Sequence, residues 1–276
     1  MLLILCSLDD LDTVAFARGA SAAGVPCRVL TAEALSFASR RSHRLSSIRR
    51  AGRTSISVVT EIETVGAPLL LEGNLSGVLN RLVEPPATAW RRAAAVERDY
   101  AAAELFAFTL SWLSGLTCPV RNRPTPGCLA GPTPHSLSSL AVARQVGLDC
   151  PPLRYSSRAG SAATDLGSAA LAAAGHDAGV EQLVCLDGKV LTRRAPAGLA
   201  DAVAAFASAI GAEQSLNGVD FAVSGSRWVF AGMTPLPALA GGAVSDGAVS
   251  DGAVSDGQHV ADAVLTALAG RRTQVA

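Results

Sequence analysis

The sequence predicts an α/β protein, and three features at its start support that class. Residues 1–6 form a continuous apolar run, which is typical of a strand covered on both faces of a sheet. Residues 11–22 carry apolar side chains at helical spacing, and Ser7 and Asp10 form the predicted capping box before them. Residues 26–30 then predict a second strand. Together these segments form a strand–helix–strand unit.

The composition argues against several classes of protein. Lys plus Arg and Asp plus Glu both total 23, so the chain has no formal net charge and lacks the basic surface that non-specific nucleic-acid binding needs. The apolar start lacks the basic region of a signal peptide, and no stretch approaches the roughly 20 apolar residues of a membrane span. The six cysteines are scattered, without a CxxC pair. We therefore expect a cytoplasmic protein that binds neither nucleic acid nor a membrane.

Positive charge is concentrated in residues 40–53, which hold six arginines and a histidine. The plainer interpretation is a solvated connector or helix face. The alternative is contact with an anionic partner, for which the candidates are Arg40, Arg41, Arg44, Arg49 and Arg50. The chain after this segment predicts short strands at residues 54–60, 68–71 and 78–80.

Two helices are predicted in the middle of the chain. The first covers residues 87–113 and ends at Gly115. The second begins with Thr133 as its N-cap and Pro134 at its first position, and it ends near Gly147. Prolines after it predict an extended exit.

The remaining chain alternates helices and hairpins. Helices are predicted at residues 163–174, 197–210 and 258–269. One hairpin turns at Asp187-Gly188, a two-residue sequence typical of tight turns, and another joins residues 218–223 to 227–230. Residues 243–257 repeat AVSDG three times, and we expect them to form a flexible surface loop.

Several segments, in their order and spacing, resemble the ATP-grasp superfamily. They are Gly77-Val78-Leu79-Asn80-Arg81, Val120-Arg121-Asn122-Arg123-Pro124, Gly218-Val219-Asp220-Phe221, Trp228-Val229-Phe230 and Pro235-Leu236-Pro237. The most similar branch contains the ribosomal-protein-modifying ligases and the graspetide, microviridin-type peptide ligases. The resemblance implies an N-terminal pre-ATP-grasp-like α/β domain at residues 1–125. It also implies a reduced, truncated ATP-grasp-like domain at residues 126–276.

The resemblance also implies where magnesium would bind, and the sequence departs from the family there. The family's ligands are an Asp on one strand, then a Glu and an Asn two residues apart on the next. Asp220 stands at the Asp position, but Gly232 replaces the Glu and Thr234 replaces the Asn. Mg²⁺ requires several oxygen ligands in near-octahedral geometry, and one carboxylate is insufficient. We therefore expect no metal or ATP cofactor and no catalytic residue of the family.

The family's nucleotide-binding lysines are also missing. Residues 153–180 contain no lysine and are too few for the usual lobe with its glycine-rich flap. The only lysine of the chain, Lys189, follows the predicted Asp187-Gly188 turn, and we expect it to be solvated. A rebuilt metal site that uses Asp149, Glu181 or Asp187 stays open as an alternative.

These features lead to three hypotheses. The first is a catalytically degenerate ATP-grasp homologue that binds a precursor peptide or a partner enzyme during biosynthesis of a ribosomally made, modified peptide, and that forms a homodimer. The second is an active ATP-dependent carboxylate–amine ligase with an altered metal site, which would use ATP and Mg²⁺. The third is a structural dimerisation partner.

Overall fold

The computed structural model describes residues 1–50, 53–66, 70–152, 165–175, 177–192, 195–239 and 251–269. These segments divide into two compact units. The first unit comprises Met1–Gly131 and the described chain from Ala261 onward, and the second comprises Pro132–Val260. The sequence had placed the domain boundary after residue 125 and the whole C-terminal helix in the second domain. None of the described helices is long and apolar enough to span a membrane.

The first unit contains seven strands and three α-helices among the described residues. The strands are β1 (Leu2–Cys6), β2 (Cys27–Thr31), β3 (Arg40–Arg50), β4 (Arg53–Glu63), β5 (Leu70–Leu71), β6 (Gly77–Asn80) and β7 (Val120–Arg121). The helices are α1 (Leu11–Ala22), α2 (Ala32–Ser36) and α3 (Ala95–Gly115), with short 3₁₀ turns at Glu72–Asn74 and Thr88–Trp90.

The second unit follows in the chain with three helices and four strands. They are α4 (Ser136–Gln145), α5 (Leu166–Ala174), β8 (Gly179–Leu186), β9 (Lys189–Val190), α6 (Leu199–Ala209), β10 (Leu216–Ser224) and β11 (Arg227–Thr234). The last helix, α7 (Asp251–Ala269), begins in this unit and ends in the first.

A parallel sheet of order β2-β1-β6-β7 lies in the core of the first unit. Every residue of β1 is at most 3% exposed, which confirms the interpretation of the apolar start as a buried strand. The start of α1 differs from the prediction, because Asp10 itself is the N-cap and its carboxylate accepts a hydrogen bond from the Thr13 backbone N–H. The Arg81 guanidinium lies 2.8 Å from Asp10 and holds it at that position.

The arginine-rich segment is the edge of a second, antiparallel sheet of order β3-β4-β5. Both interpretations of residues 40–50 as a connector or a helix face were therefore wrong. The strand forms because its partner β4 supplies buried side chains, Thr60 and Ile62. On the same face of β3, the His43 ring contacts the Ser111 hydroxyl and the Phe108 ring of α3.

Helices α3 and α4 begin later than the sequence predicted. In α3 the helix starts at Ala95, because residues 88–90 form a separate 3₁₀ turn whose Ala89 N–H donates to the Ser36 hydroxyl. The N-cap of α4 is His135 rather than Thr133, since the His135 Nδ1 accepts from the Leu137 N–H. Pro134 consequently lies before this helix.

The repeat segment is helical where the structure describes it. Residues 251–257, predicted as part of a flexible loop, form the first turns of α7, so that part of the prediction was wrong. Elongation of an established helix adds one hydrogen bond per residue, and α7 is anchored by the buried side chains of Val264 and Leu268. Residues 240–250 lie outside the described residues.

The second unit is built around an antiparallel sheet of order β11-β10-β8-β9. Helices α4 and α6 pack on one face, where Phe206 contacts Phe230. Helix α5 packs on the other face through Ala170, which lies against Ala222 and Val229. Both predicted hairpins of this unit are confirmed. Asp187 and Gly188 have φ values of 52° and 71°, as a type I′ turn requires.

Candidate functional site

The three family ligand positions meet on one face of the second unit's sheet. Asp220 in β10 lies opposite Gly232 in β11 and opposite Gln182 in β8. Two residues before Asp220 in β10, Gly218 lies opposite Thr234 in β11. Residues directly opposite in an antiparallel pair share a face, and so do residues two apart in a strand. The three positions that the resemblance implies therefore share one face of the sheet.

The Asp220 carboxylate is held by a neutral donor. The Gln182 side-chain Nε2 donates to Asp220 Oδ1 at 2.8 Å. Burial raises the pKa of Asp220 above its usual range, and the hydrogen bond from Gln182 opposes that shift only in part. Among the described residues, no Lys, Arg or His nitrogen lies within ion-pair distance of this carboxylate. The part of the chain that the structure describes therefore provides no cationic side chain here to compensate the charge of Asp220.

Gln182 was missed by sequence reasoning, although it organises the site. Its Oε1 accepts a hydrogen bond of 2.9 Å from the Ala238 backbone N–H, so the amide joins β10 to the chain that follows β11. Gly218 leaves the room for this side chain, because a Cβ added there would lie 2.6 Å from Gln182 Cδ. The signal that could have revealed Gln182 is the register between β8 and β10, which a single sequence does not contain.

Gly232 lies at a β-bulge and has an unusual backbone conformation. The pairing between β10 and β11 contains a bulge, with Asp220 opposite Gly232 and Phe221 opposite Phe230. Gly232 has a φ of 153°, a conformation that residues with a side chain rarely adopt. A side chain at this position would find open space but a strained backbone. The bulge therefore favours glycine.

Thr234 is occupied by a local hydrogen bond. Its hydroxyl oxygen accepts from the Leu236 backbone N–H at 3.1 Å, which stabilises the turn after β11. A threonine hydroxyl is a neutral oxygen donor and a weaker ligand for Mg²⁺ than a carboxylate. It does not replace the amide of the family pattern.

The described residues do not fit the family's magnesium site. They contain no group of three His, Cys, Asp or Glu side chains placed to hold a metal ion. Of the alternative carboxylates, Asp149 is paired with Arg227 at 3.1 Å, and Asp187 lies in the β8–β9 turn. Glu181 lies next to Gln182 in β8 and therefore points to the opposite face of the sheet. These three residues are not brought to Asp220.

Lys189 lies at the start of β9, directly after the tight turn, and its side chain is exposed. This position agrees with the expectation of a solvated lysine. Arg154, Arg158 and Arg193 are positively charged residues that could substitute electrostatically for the family's lysines, and all three lie outside the described residues.

The five arginine candidates of the first unit do not form one cluster. Arg40 is paired with Glu61 at 3.0 Å. Arg41 turns inward and donates to the Ser36 backbone oxygen at 2.6 Å, and burial lowers its pKa. Arg44 and Arg49 are exposed on β3, whereas Arg50 belongs to β3 with a side chain outside the described part. A contact with an anionic partner through these residues stays a prediction.

The two units have the architecture of ATP-grasp ligases, which confirms the mixed α/β fold and the resemblance of the sequence at the level of the fold. The macrocyclase MdnC from Microcystis aeruginosa MRC, bound with precursor peptide MdnA, has a TM-score of 0.63 at 11% identity over 96% of this chain and 100% of that chain. The ATP-grasp ligase PsnB, complexed with a phosphomimetic variant of minimal precursor, Mg and ADP, has a TM-score of 0.57 at 15% identity over 97% of each chain.

A third structure of the same fold is a RiPP-associated ATP-grasp ligase from Chryseobacterium gregarium in complex with ADP and a leader and core peptide. It has a TM-score of 0.54 at 10% identity over 96% of each chain. No protein-family model matches the sequence, and no curated protein matches it. Identities this low establish the fold alone. The truncation expected from the sequence is not confirmed, since the alignments extend over 96–100% of the neighbouring chains.

Proposed function

We propose that this protein binds a peptide on an ATP-grasp fold without using Mg²⁺ and ATP, as a catalytically degenerate homologue. Its partner would be the precursor of a ribosomally made, modified peptide, or the enzyme that modifies this precursor. The chemistry would then belong to a separate, intact ligase. A homodimer, expected from the sequence, remains part of this proposal.

One observation supports the proposal that catalysis has been lost. At the position of the family's metal ligands, the Asp220 carboxylate is bonded to the neutral amide of Gln182 and lies opposite Gly232. Phosphoryl transfer depends on Mg²⁺ and on cationic side chains that stabilise the charge of the migrating group. A single half-buried carboxylate with a raised pKa adds negative charge to such a site and offers one ligand.

The peptide as partner is supported by the fold neighbours. MdnC, PsnB and the Chryseobacterium gregarium ligase were each crystallised with a precursor, leader or core peptide. A protein that keeps this fold while its nucleotide site changes can keep peptide binding, because binding a peptide does not require the metal.

An active ligase with an altered metal site is the second candidate, and the retained Asp220 carboxylate favours it. The two candidates differ in what the substitution Asp220→Ala should change. In a ligase, the Asp220 carboxylate would hold a cation and Asp220→Ala would abolish turnover. In a binding protein, the same substitution leaves peptide affinity unchanged.

The experiment measures peptide binding and ATP turnover in one sample. The full chain is mixed with each short peptide encoded near its gene, with and without Mg²⁺ and ATP, and bound peptide and released ADP are quantified. We expect binding that is independent of nucleotide, with no ADP. Peptide-dependent ADP release that disappears in Asp220→Ala would favour the ligase instead. Absence of peptide binding under both conditions would contradict the proposal.

A further inference from the structure

Strand β3 and its partner β4 carry an unusual concentration of positive charge. Residues 40–63 contain six arginines and two glutamates, a formal charge of +4 in a chain whose total is zero. The rest of the chain is therefore acidic by the same amount. A local charge of this size attracts a partner of opposite sign.

The outer part of this hairpin is a two-stranded ribbon. Strand β5 pairs only with Glu61 and Ile62, at the base of β4. On β3, residues 44–47 are all exposed, so neither face of this part of the strand is covered. Within the described part of the chain, no strand pairs with the outer edge of β3. Two-stranded ribbons are marginally stable alone, and an open edge can accept a further strand.

The positive charge of β3 determines which kind of strand can pair with its open edge. A second copy of β3 would place arginines beside arginines, and charged edges are a common protection against such self-pairing. An acidic strand would meet the opposite charge instead. Addition of a strand uses main-chain hydrogen bonds for affinity and the alternating side chains for specificity.

We infer that the open edge of β3 binds an acidic peptide in extended conformation, as an added strand. The inference rests on the proposed peptide-binding function and deepens it, because it names the chemistry of the peptide and the surface that binds it. Arg44 supplies a positive charge on the face that also carries the Arg40–Glu61 pair. Leu45, 59% exposed, supplies an apolar contact on the other face.

This alternation specifies the peptide. Successive side chains of an added strand point to opposite faces, as they do in β3. Acidic side chains at alternate positions would lie on the face of Arg44, and apolar side chains between them would lie on the face of Leu45. Arg49, exposed further along the strand, lies on the Leu45 face and would favour an acidic side chain near that end.

The test uses the full chain and a fluorescent synthetic peptide as long as β3. The peptide alternates glutamate and valine, except that a further glutamate replaces the valine nearest Arg49. We expect saturable binding that weakens as salt is added. The double variant Arg44→Glu with Arg49→Glu should weaken binding by about tenfold or more, because two attractions become repulsions. The control is Arg91→Glu with Arg92→Glu, which makes the same change of charge at two exposed residues outside β3 and should leave binding unchanged.

Two further probes distinguish strand addition from simple charge attraction. A peptide N-methylated at alternate residues keeps its charge but cannot pair through the main chain, and we expect it not to bind. Equal binding of this peptide, or equal binding of duplex DNA, would overturn the inference. Self-association of the chain through β3 in the absence of peptide would overturn it as well.

The precursor peptide in the same assay separates this inference from the proposed function. Binding that is lost in the Arg44→Glu, Arg49→Glu variant supports both. Binding that the variant keeps, together with failure of the synthetic peptide, overturns the β3 site and leaves the proposed function intact. No binding of either peptide contradicts both. Thermal unfolding of the variant confirms that exposed substitutions leave the fold unchanged.

Discussion

The side-chain amide of Gln182 donates a 2.8 Å hydrogen bond to the carboxylate of Asp220, the position at which the resemblance to ATP-grasp ligases implies a magnesium ligand. The same amide accepts from the Ala238 N–H, so both ends of the side chain are used within the protein. A neutral amide donates one hydrogen bond to the carboxylate but does not neutralise its charge. The retained aspartate is therefore part of a structural hydrogen-bond arrangement.

Gln182→Ala should reduce the free energy of unfolding by about 1–3 kcal/mol, because it leaves the Asp220 carboxylate and the Ala238 N–H without their described hydrogen-bond partner. Denaturant titration measures the change. Glu181→Ala is the control, since its exposed side chain lies on the opposite face of the same strand. Equal effects of the two substitutions would show that the Gln182 contacts contribute no stability.

Asp220→Asn should stabilise the protein at neutral pH but not in acid. Burial raises the pKa of Asp220, so the folded state binds the proton more tightly than the unfolded chain does. Ionisation of Asp220 therefore lowers the stability of the folded state. The loss develops as pH rises from the usual pKa of the unfolded chain, about 4, through the higher pKa of the folded state. The advantage of the asparagine variant should grow over that interval and then stay constant. Unfolding free energies at several pH values test this.

The control for this prediction is Asp99→Asn, which removes an exposed carboxylate from α3. Its effect should show no comparable growth with pH. A stability difference between wild type and Asp220→Asn that is the same in acid and at neutral pH would contradict the assignment of a buried, destabilised charge.

Restoring the family's side chains should not restore magnesium binding. Gly232→Glu with Thr234→Asn supplies the missing donors, but the φ of 153° at residue 232 makes any side chain there strained. We expect a loss of about 1–3 kcal/mol in stability and no binding of Mg²⁺. Thr234→Asn alone is the control and should lose much less stability. Tight Mg²⁺ binding by a fully stable double variant would contradict this account of the bulge.

The ion pair between Asp10 and Arg81 should dominate acid sensitivity of the first unit. Burial opposes ionisation of Asp10, but bonds from Arg81 and Thr13 outweigh it and lower its pKa. Its contribution is complete above the usual pKa of about 4 and is lost as pH falls through the lowered value. Asp10→Asn should cost about 3 kcal/mol at neutral pH, because it removes the negative charge beside a buried guanidinium.

Denaturant unfolding at neutral and acid pH measures this effect, with Asp9→Asn as the exposed neighbouring control. Wild type and the Asp10→Asn protein should converge in acid, where both lack the charge. If the Asp9 substitution costs as much as the Asp10 substitution, the pair does not contribute as described.

The sequence correctly predicted those elements whose structure is determined by their own residues. The apolar run of β1 and the Asp187-Gly188 turn each determine their local structure and were confirmed. Strand β3 could not be predicted in this way, because the partners of its inward side chains are distant. Arg41 donates to α2, and His43 contacts Ser111 of α3. The role of Gln182 likewise depends on strand register, which the sequence does not display.

The most direct measurement is isothermal titration of the full chain with Mg²⁺ and ATP. The arrangement of Asp220, Gln182 and Gly232 predicts no heat of binding. Among the described residues the site offers one carboxylate and no second anionic ligand for a nucleotide-bound cation. Micromolar binding that disappears in Asp220→Ala would contradict the account, since it would show that this carboxylate holds the cation.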